Sequence, residues 1–215
     1  MTTRGGGVRA VVFDLGGVLI DWNPRHLYRG LFGGDDEAME AFLGEVCTPE
    51  WNSLQDAGRP WDEAVAELVA RNPAARDLIV AFHERWEEML GGPIEGMVEV
   101  LRELQAGGVP LYALSNWSAE KFPIAKARYP FLAWFRDIVI SGDLGTIKPD
   151  PAMFRALVQR DGIDPATTVY VDDSGPNVAA AAELGFAAIR FVGAGPLRRD
   201  LASRGLPVLE RAAGV

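Results

Sequence analysis

RAVVFDLGG, Arg9 to Gly17, is the stretch on which the fold turns. Its β-branched and aromatic run, Arg9 to Phe13, breaks off at Asp14, and Gly16-Gly17 follows at once. An unbroken apolar run of this length, closed by glycines, reads as a buried strand that delivers a carboxylate to a loop at its C-terminal end.

The same pattern recurs. Pro110 to Leu114 runs into Ser115-Asn116, and Val169 to Val171 runs into Asp172-Asp173. Asp137 to Ile140 and Ala188 to Val192 are two further strand candidates. Helical patterns separate them at Glu95 to Gln105, Ala119 to Arg128, Ala152 to Gln159 and Asn177 to Leu184. Strands alternating with helices of this length imply crossover units, hence an α/β fold with a parallel sheet covered on both faces.

Pro24 to Leu90 is different. Gly33-Gly34, Pro49, Gly58-Arg59-Pro60 and Asn72-Pro73 divide it into four or five helical patterns with no convincing strand. Asp62 to Val69 and Ala75 to Met89 are amphipathic at helical spacing. The expectation is a small all-helical insertion over residues 22–91, with a core formed by residues 1–21 and 92–215.

Composition narrows the function. The 215 residues carry a formal net charge of −9, which disfavours a nucleic-acid partner because duplex binding calls for a basic face. No apolar run approaches the ~20 residues that span a bilayer, and Met1 to Arg9 lacks an apolar signal core. A cytoplasmic protein without membrane contact, monomeric or homodimeric, is expected. Cys47 is the single cysteine, which excludes an internal disulfide, and it reads as a packed, inert thiol. Two histidines and one cysteine do not make a His–Cys metal site. The glycine run Gly5-Gly6-Gly7 is the sole low-complexity element.

In open parallel sheets, chemistry gathers beyond the carboxyl ends of the strands. Asp14, Ser115-Asn116, Asp172-Asp173 and the loop residue Lys148 would all converge there. Adjacent carboxylates repel unless a cation lies between them, so a hard divalent ion with oxygen ligands is expected. Asp14 would attack as a nucleophile, and Ser115 with the backbone near Gly16 and Gly17 would donate to phosphoryl oxygens. Lys148 would neutralise charge. An acidic chain working on a small anionic metabolite needs such local cations.

Four segments, in order, resemble the motifs of the haloacid dehalogenase-like hydrolase superfamily. They are FDLGGVL (Phe13 to Leu19), LSN (Leu114 to Asn116), IKPDPAMF (Ile147 to Phe154) and VDDSGPN (Val171 to Asn177). The resemblance implies a Rossmann-like core with a helical cap between the first and second motifs. It makes Asp14 the nucleophile and Lys148 the charge-balancing lysine. It also implies Mg²⁺ held by Asp14, the Gly16 carbonyl and Asp173, with Asp172 in support. Ser115, Asn116 and Gly17 would bind the phosphoryl group.

The resemblance breaks at Gly16. Phosphatases of this family usually carry a second aspartate there, which protonates the leaving group and is worth ~10²–10⁴ in rate. Three readings follow. The first is a phosphatase whose leaving group needs little help, with a small sugar phosphate favoured, or whose acid comes from Asp21, Asp56 or Glu50. The second is a metal-independent 2-haloacid dehalogenase, for which a halide leaves without a proton. That branch shows serine and asparagine in place of Asp172-Asp173, and tyrosine in place of Phe154. The third is a degenerate domain that binds a ligand without turnover. Mg²⁺-dependent phosphomonoester hydrolysis is the leading expectation.

Trp22, Arg25 and Trp117 are candidate substrate contacts, the first two at the cap hinge and the third beside Ser115-Asn116. Trp51, Trp61 and Trp86 are expected to build the cap's own core. Asn177 stands where many family members carry an acid that steadies the metal.

Overall fold

A computed structural model describes residues 7–209. Met1 to Gly6, with the first two glycines of the run, lie outside the described residues.

In chain order, β1 (Ala10–Phe13) leads into a short ribbon strand, β2 (Ile20–Trp22). Helices α1 (Arg25–Leu31), α2 (Asp36–Glu45), α3 (Pro49–Asp56), α4 (Trp61–Arg71) and α5 (Arg76–Glu84) follow. The chain returns through β3 (Leu90–Pro93), α6 (Met97–Ala106), β4 (Leu111–Ser115) and α7 (Phe122–Arg128). It then runs through β5 (Asp137–Ile140), the single turn α8 (Ser141–Leu144) and α9 (Pro151–Asp161). The last elements are β6 (Thr168–Asp172), α10 (Gly175–Glu183), β7 (Ala187–Arg190) and α11 (Ala194–Ser203).

The sheet order is β5-β4-β1-β6-β7, with every pair parallel. All five strands expected from the sequence are in it. β1 is central because it is buried on both faces, with Val11 and Phe13 packing into one cluster and Ala10 and Val12 into the other. The first cluster takes Val100 and Leu104 of α6 and Leu197 of α11. The second takes Met153, Phe154 and Leu157 of α9 and Ala181 of α10. Helices on both faces are what a parallel sheet requires. Register places Phe13 beside Ala113 and Val171, so β1, β4 and β6 end together.

The helical insertion stands on a two-stranded antiparallel ribbon, β2 with β3, in which Ile20 faces Pro93 and Asp21 faces Gly92. Residues 22–91 were expected to be all helical. The ribbon crosses both ends of that segment, and strands of three and four residues, the second being Leu90-Gly91-Gly92-Pro93, carry no strand periodicity to announce it. Within the insertion, Trp51 and Trp61 meet edge to face at 5.7 Å and Trp61 stacks on Phe82 at 5.8 Å, forming the expected aromatic core. Cys47 is buried, and burial pushes its thiol up to about 12 despite a hydrogen bond to Tyr28, which agrees with an inert group. No helix among the described residues is long and apolar enough to cross a membrane.

Candidate active site

Asp14 follows β1 directly, and its amide continues the ladder by donating to Val171 O at 2.8 Å. Three donors converge on its Oδ1: the Leu15 amide at 2.7 Å, Ser115 Oγ at 2.8 Å and Lys148 Nζ at 3.0 Å. The carboxylate is thereby held in one orientation. Burial pushes Asp14 above the usual carboxylate range; Lys148 pulls it down and Asp172 pushes it further up.

Lys148 lies on the stretch between α8 and α9 with its side chain 1% exposed. Its ammonium donates to Leu114 O at 2.8 Å and to Asp172 Oδ2 at 2.8 Å, besides meeting Asp14. Burial alone would depress this lysine, but the two carboxylates outweigh it and hold it above its ordinary value. Asp172 ends β6, fully buried, and accepts from Tyr170 Oη at 2.5 Å, the Ser174 amide at 2.8 Å and Asn177 Nδ2 at 3.1 Å. It therefore sits beneath the cleft as the partner of Lys148. Asp173, one residue on, turns outward and is exposed. Partial burial and the neighbouring Asp172 raise its pKa.

One oxygen each from Asp14, Asp172 and Asp173 lie within 4.8 Å of one another. A set of hard carboxylate oxygens this close, with Asp173 facing open space, fits a small divalent cation.

The family model of the haloacid dehalogenase-like hydrolases matches residues 8–185. This chain belongs to that family. The sesquiterpene phosphatase astK of Aspergillus oryzae is 27% identical over 184 residues, covering 85% of this chain and 89% of that protein. The drimenol cyclase drtB of Aspergillus calidoustus is also 27% identical, over 94% of this chain, but the chain spans only 39% of its length. A HAD family enzyme of Bacteroides thetaiotaomicron, solved with magnesium and inorganic phosphate, superposes with a TM-score of 0.65. It is 23% identical, over 86% of this chain and 94% of that one, a likeness that speaks to fold alone.

In this hydrolase a cavity of about 280 Å³ opens over Asp14, lined by Gly16, Gly17, Ser115, Lys148 and Asp173 from the core and by Trp22, Asn52, Asp56 and Trp86 from the cap side. Trp22 and Trp117 line it, as expected from their places in the sequence, and both indole N–H groups are buried without a partner. Trp86, expected in the cap core, also lines it and packs against Trp117 at 5.7 Å. That residue is a miss: helical spacing placed it on an apolar face but did not say that the face meets the core.

Two of the candidate substrate contacts are engaged by other groups of the protein. Arg25 does not line this cavity; it grips Glu40 with both its Nε and a terminal nitrogen, the latter at 2.6 Å, and borders a neighbouring groove. Asn116 lines the cavity, yet both ends of its amide serve the loop that carries Lys148, accepting from Lys148 N at 2.8 Å and donating to Lys148 O at 3.2 Å. It clamps the lysine loop to the end of β4. Asn177, considered as a metal-side group, spends its amide nitrogen on Asp172. Tyr170 was not anticipated, although period-two alternation puts it on the same face of β6 as Asp172.

Proposed function

We propose that this hydrolase cleaves small phosphomonoesters through an aspartyl-phosphate on Asp14. The observation that carries the reading is the held Asp14 carboxylate at the cavity floor, backed by Ser115 and Lys148, with the Asp173 carboxylate beside it. Such a floor repels an anionic substrate unless a cation joins it, and the oxygen cluster is suited to one. The name of the similar sesquiterpene phosphatase agrees with phosphate-ester chemistry.

Asp14, the Gly16 carbonyl and Asp173 would hold Mg²⁺, with Asp172 fixed behind them. When bound, Mg²⁺ offsets the repulsion between the nucleophile and the phosphoryl oxygens. Ser115 and Lys148 orient Asp14 and neutralise its charge in the resting site. The three indoles Trp22, Trp86 and Trp117 give the leaving group an apolar wall and help exclude water. The cavity volume suits a small substrate, and a small sugar phosphate remains the favoured class.

The dehalogenase reading is disfavoured by charge. A 2-haloacid brings its own carboxylate, which needs a cation, and Lys148 is the one basic side chain lining the cavity among the described residues. That lysine is already shared between Asp14 and Asp172. The expected result is phosphate release from a panel of small phosphomonoesters with Mg²⁺, abolished by EDTA, and no halide from 2-chloropropionate. Halide release that survives EDTA would overturn the proposal. Absence of turnover on every ester would instead favour the degenerate domain.

Gly17 tests the metal site separately. Its φ is +74°, and a Cβ there would come within 2.5 Å of Asp173 Oδ2. Gly17→Ala must displace that carboxylate, and Mg²⁺ affinity is expected to weaken by about 10–100-fold, the usual result of disturbing a ligand's support. The readout is the Mg²⁺ dependence of the melting temperature, which is independent of turnover. An unchanged response would remove Asp173 from the ligand set.

A further inference from the structure

We propose that Asp56, delivered by the cap, is the general acid of this hydrolase and the general base of its second half-reaction. The inference rests on the phosphatase reading above and deepens it. A phosphomonoester's leaving oxygen departs as an alkoxide unless a proton reaches it, and Gly16 supplies none.

The cavity itself narrows the choice. Among the described residues the carboxylates that line it are Asp14, Asp56 and Asp173. Asp14 is committed as nucleophile and Asp173 to the cation, which leaves Asp56. The other acids considered from sequence are placed elsewhere. Asp21 is paired with His26 at 2.8 Å on the ribbon, and Glu50 is exposed beside a different groove.

Asp56 is also held as an acid–base group must be. It is the last residue of α3, a helix that starts at the Thr48 cap with Pro49 in its first turn and stops where Gly58 turns at φ +96°. Its carbonyl accepts from Ser141 Oγ at 2.5 Å, and the same hydroxyl accepts from the Trp117 amide at 2.9 Å. Just beyond, the Trp61 amide donates to Glu120 and the Trp61 indole to Ser118 Oγ, both at 3.0 Å. The stretch from Asp56 to Trp61 is thus fastened to Ser141 at the start of α8 and to the loop that follows Ser115. Asp56 belongs to the cap in sequence but is positioned by the core. Asn52 Nδ2 donates to its Oδ2 at 2.9 Å and sets the side chain's direction. Burial raises its carboxyl to about 7, the Ser118 amide opposing and Asp14 adding to the rise, so that both protonation states are accessible near neutrality.

The steps balance. An Asp14 oxygen bonds to phosphorus as the ester P–O bond breaks, and the departing oxygen takes the electron pair and the proton of Asp56. Water then adds to phosphorus, its proton passes to the Asp56 carboxylate, and the bond from phosphorus to Asp14 breaks. Both aspartates return to their starting states.

The test compares wild type with Asp56→Asn on ethyl phosphate and on p-nitrophenyl phosphate, whose leaving group needs no proton. The expected loss in kcat/KM is about 10²–10⁴-fold on ethyl phosphate. The pre-steady-state burst of p-nitrophenolate should fall by less than about tenfold, since that step asks only for the nucleophile. A second variant, Asp56→Asn with Gly16→Asp, should recover ethyl phosphate turnover, because no atom lies within 4 Å of a Cβ at Gly16. Equal losses on both esters, or no loss on either, would overturn the assignment while leaving the phosphatase intact. Failure of wild type on both esters would bring down the phosphatase reading and this one together.

Discussion

Asp14→Asn is expected to lower phosphomonoester turnover by about 10⁴-fold or more while leaving the fold intact. The amide matches the carboxylate in shape and retains an oxygen to accept from the Leu15 amide and Ser115 Oγ. It has no charge with which to attack phosphorus, and no other side chain stands in its place at the end of β1. The same change should not cost stability. Burial raises the Asp14 pKa, so its charged form is worse off folded than unfolded. For such a group the sign is fixed: its contribution is most favourable below the unfolded carboxylate range and declines as pH rises through the folded value. The Asn variant escapes that decline. In EDTA at neutral pH its melting temperature should equal or exceed that of wild type, a nucleophile being kept at some expense of stability. Retention of a tenth of wild-type activity in clean protein would place the nucleophile elsewhere.

Much of this site could be read from the chain because parallel strands are buried on both faces. Val11-Val12-Phe13 and Val169-Tyr170-Val171 must be apolar throughout, so the first polar residue after each run marks the strand's end, and strand ends are where the chemistry lies. What was not legible depends on partners distant in sequence. Arg25 looks like an anion-binding residue until Glu40, on the next helix, is placed against it. The clamp that Asn116 puts on the Lys148 loop joins residues 32 positions apart, which no local pattern announces. Asp56 is ordinary by composition and spacing; only the packing of α3 against α8 and the Ser118 loop makes it unlike the other cap acids. The β2–β3 ribbon failed for a local reason, since Leu90-Gly91-Gly92-Pro93 is too short and too poor in side chains to show a period.

The charge balance beneath the cavity explains why four residues from three strand ends and one loop act as a unit. Asp14 and Asp172 are both buried, and one ammonium serves them. Tyr170, Ser174 and Asn177 saturate Asp172 with neutral donors, which lets it stay close to a second carboxylate without drawing Lys148 wholly to itself. Asp173 is left outside this network, free to face a cation. The division of labour within the Asp172-Asp173 pair follows from strand geometry, because successive residues at a strand end point to opposite sides.

Lys148→Met should therefore be the most destabilising change in the site. Methionine fills similar volume but strands two buried carboxylates and the Leu114 carbonyl without their shared donor. Breaking a buried pair by removing one partner costs about 3–5 kcal/mol, or roughly 6–20 °C in melting temperature for a chain of this size. The loss should also depend on pH. Without the ammonium the carboxylate pair takes up a proton in the folded state at higher pH than in the unfolded chain, so folding binds protons and the variant weakens as pH rises. Its deficit against wild type should be smallest near pH 5 and largest above neutrality, when both are melted in EDTA. Adding Asp172→Asn to the variant removes one of the two stranded charges and should restore part of the stability, a coupling that a double-mutant cycle would register. A Lys148→Met variant within 1 kcal/mol of wild type at pH 7, with no pH dependence, would show that the carboxylates are not held together by this lysine.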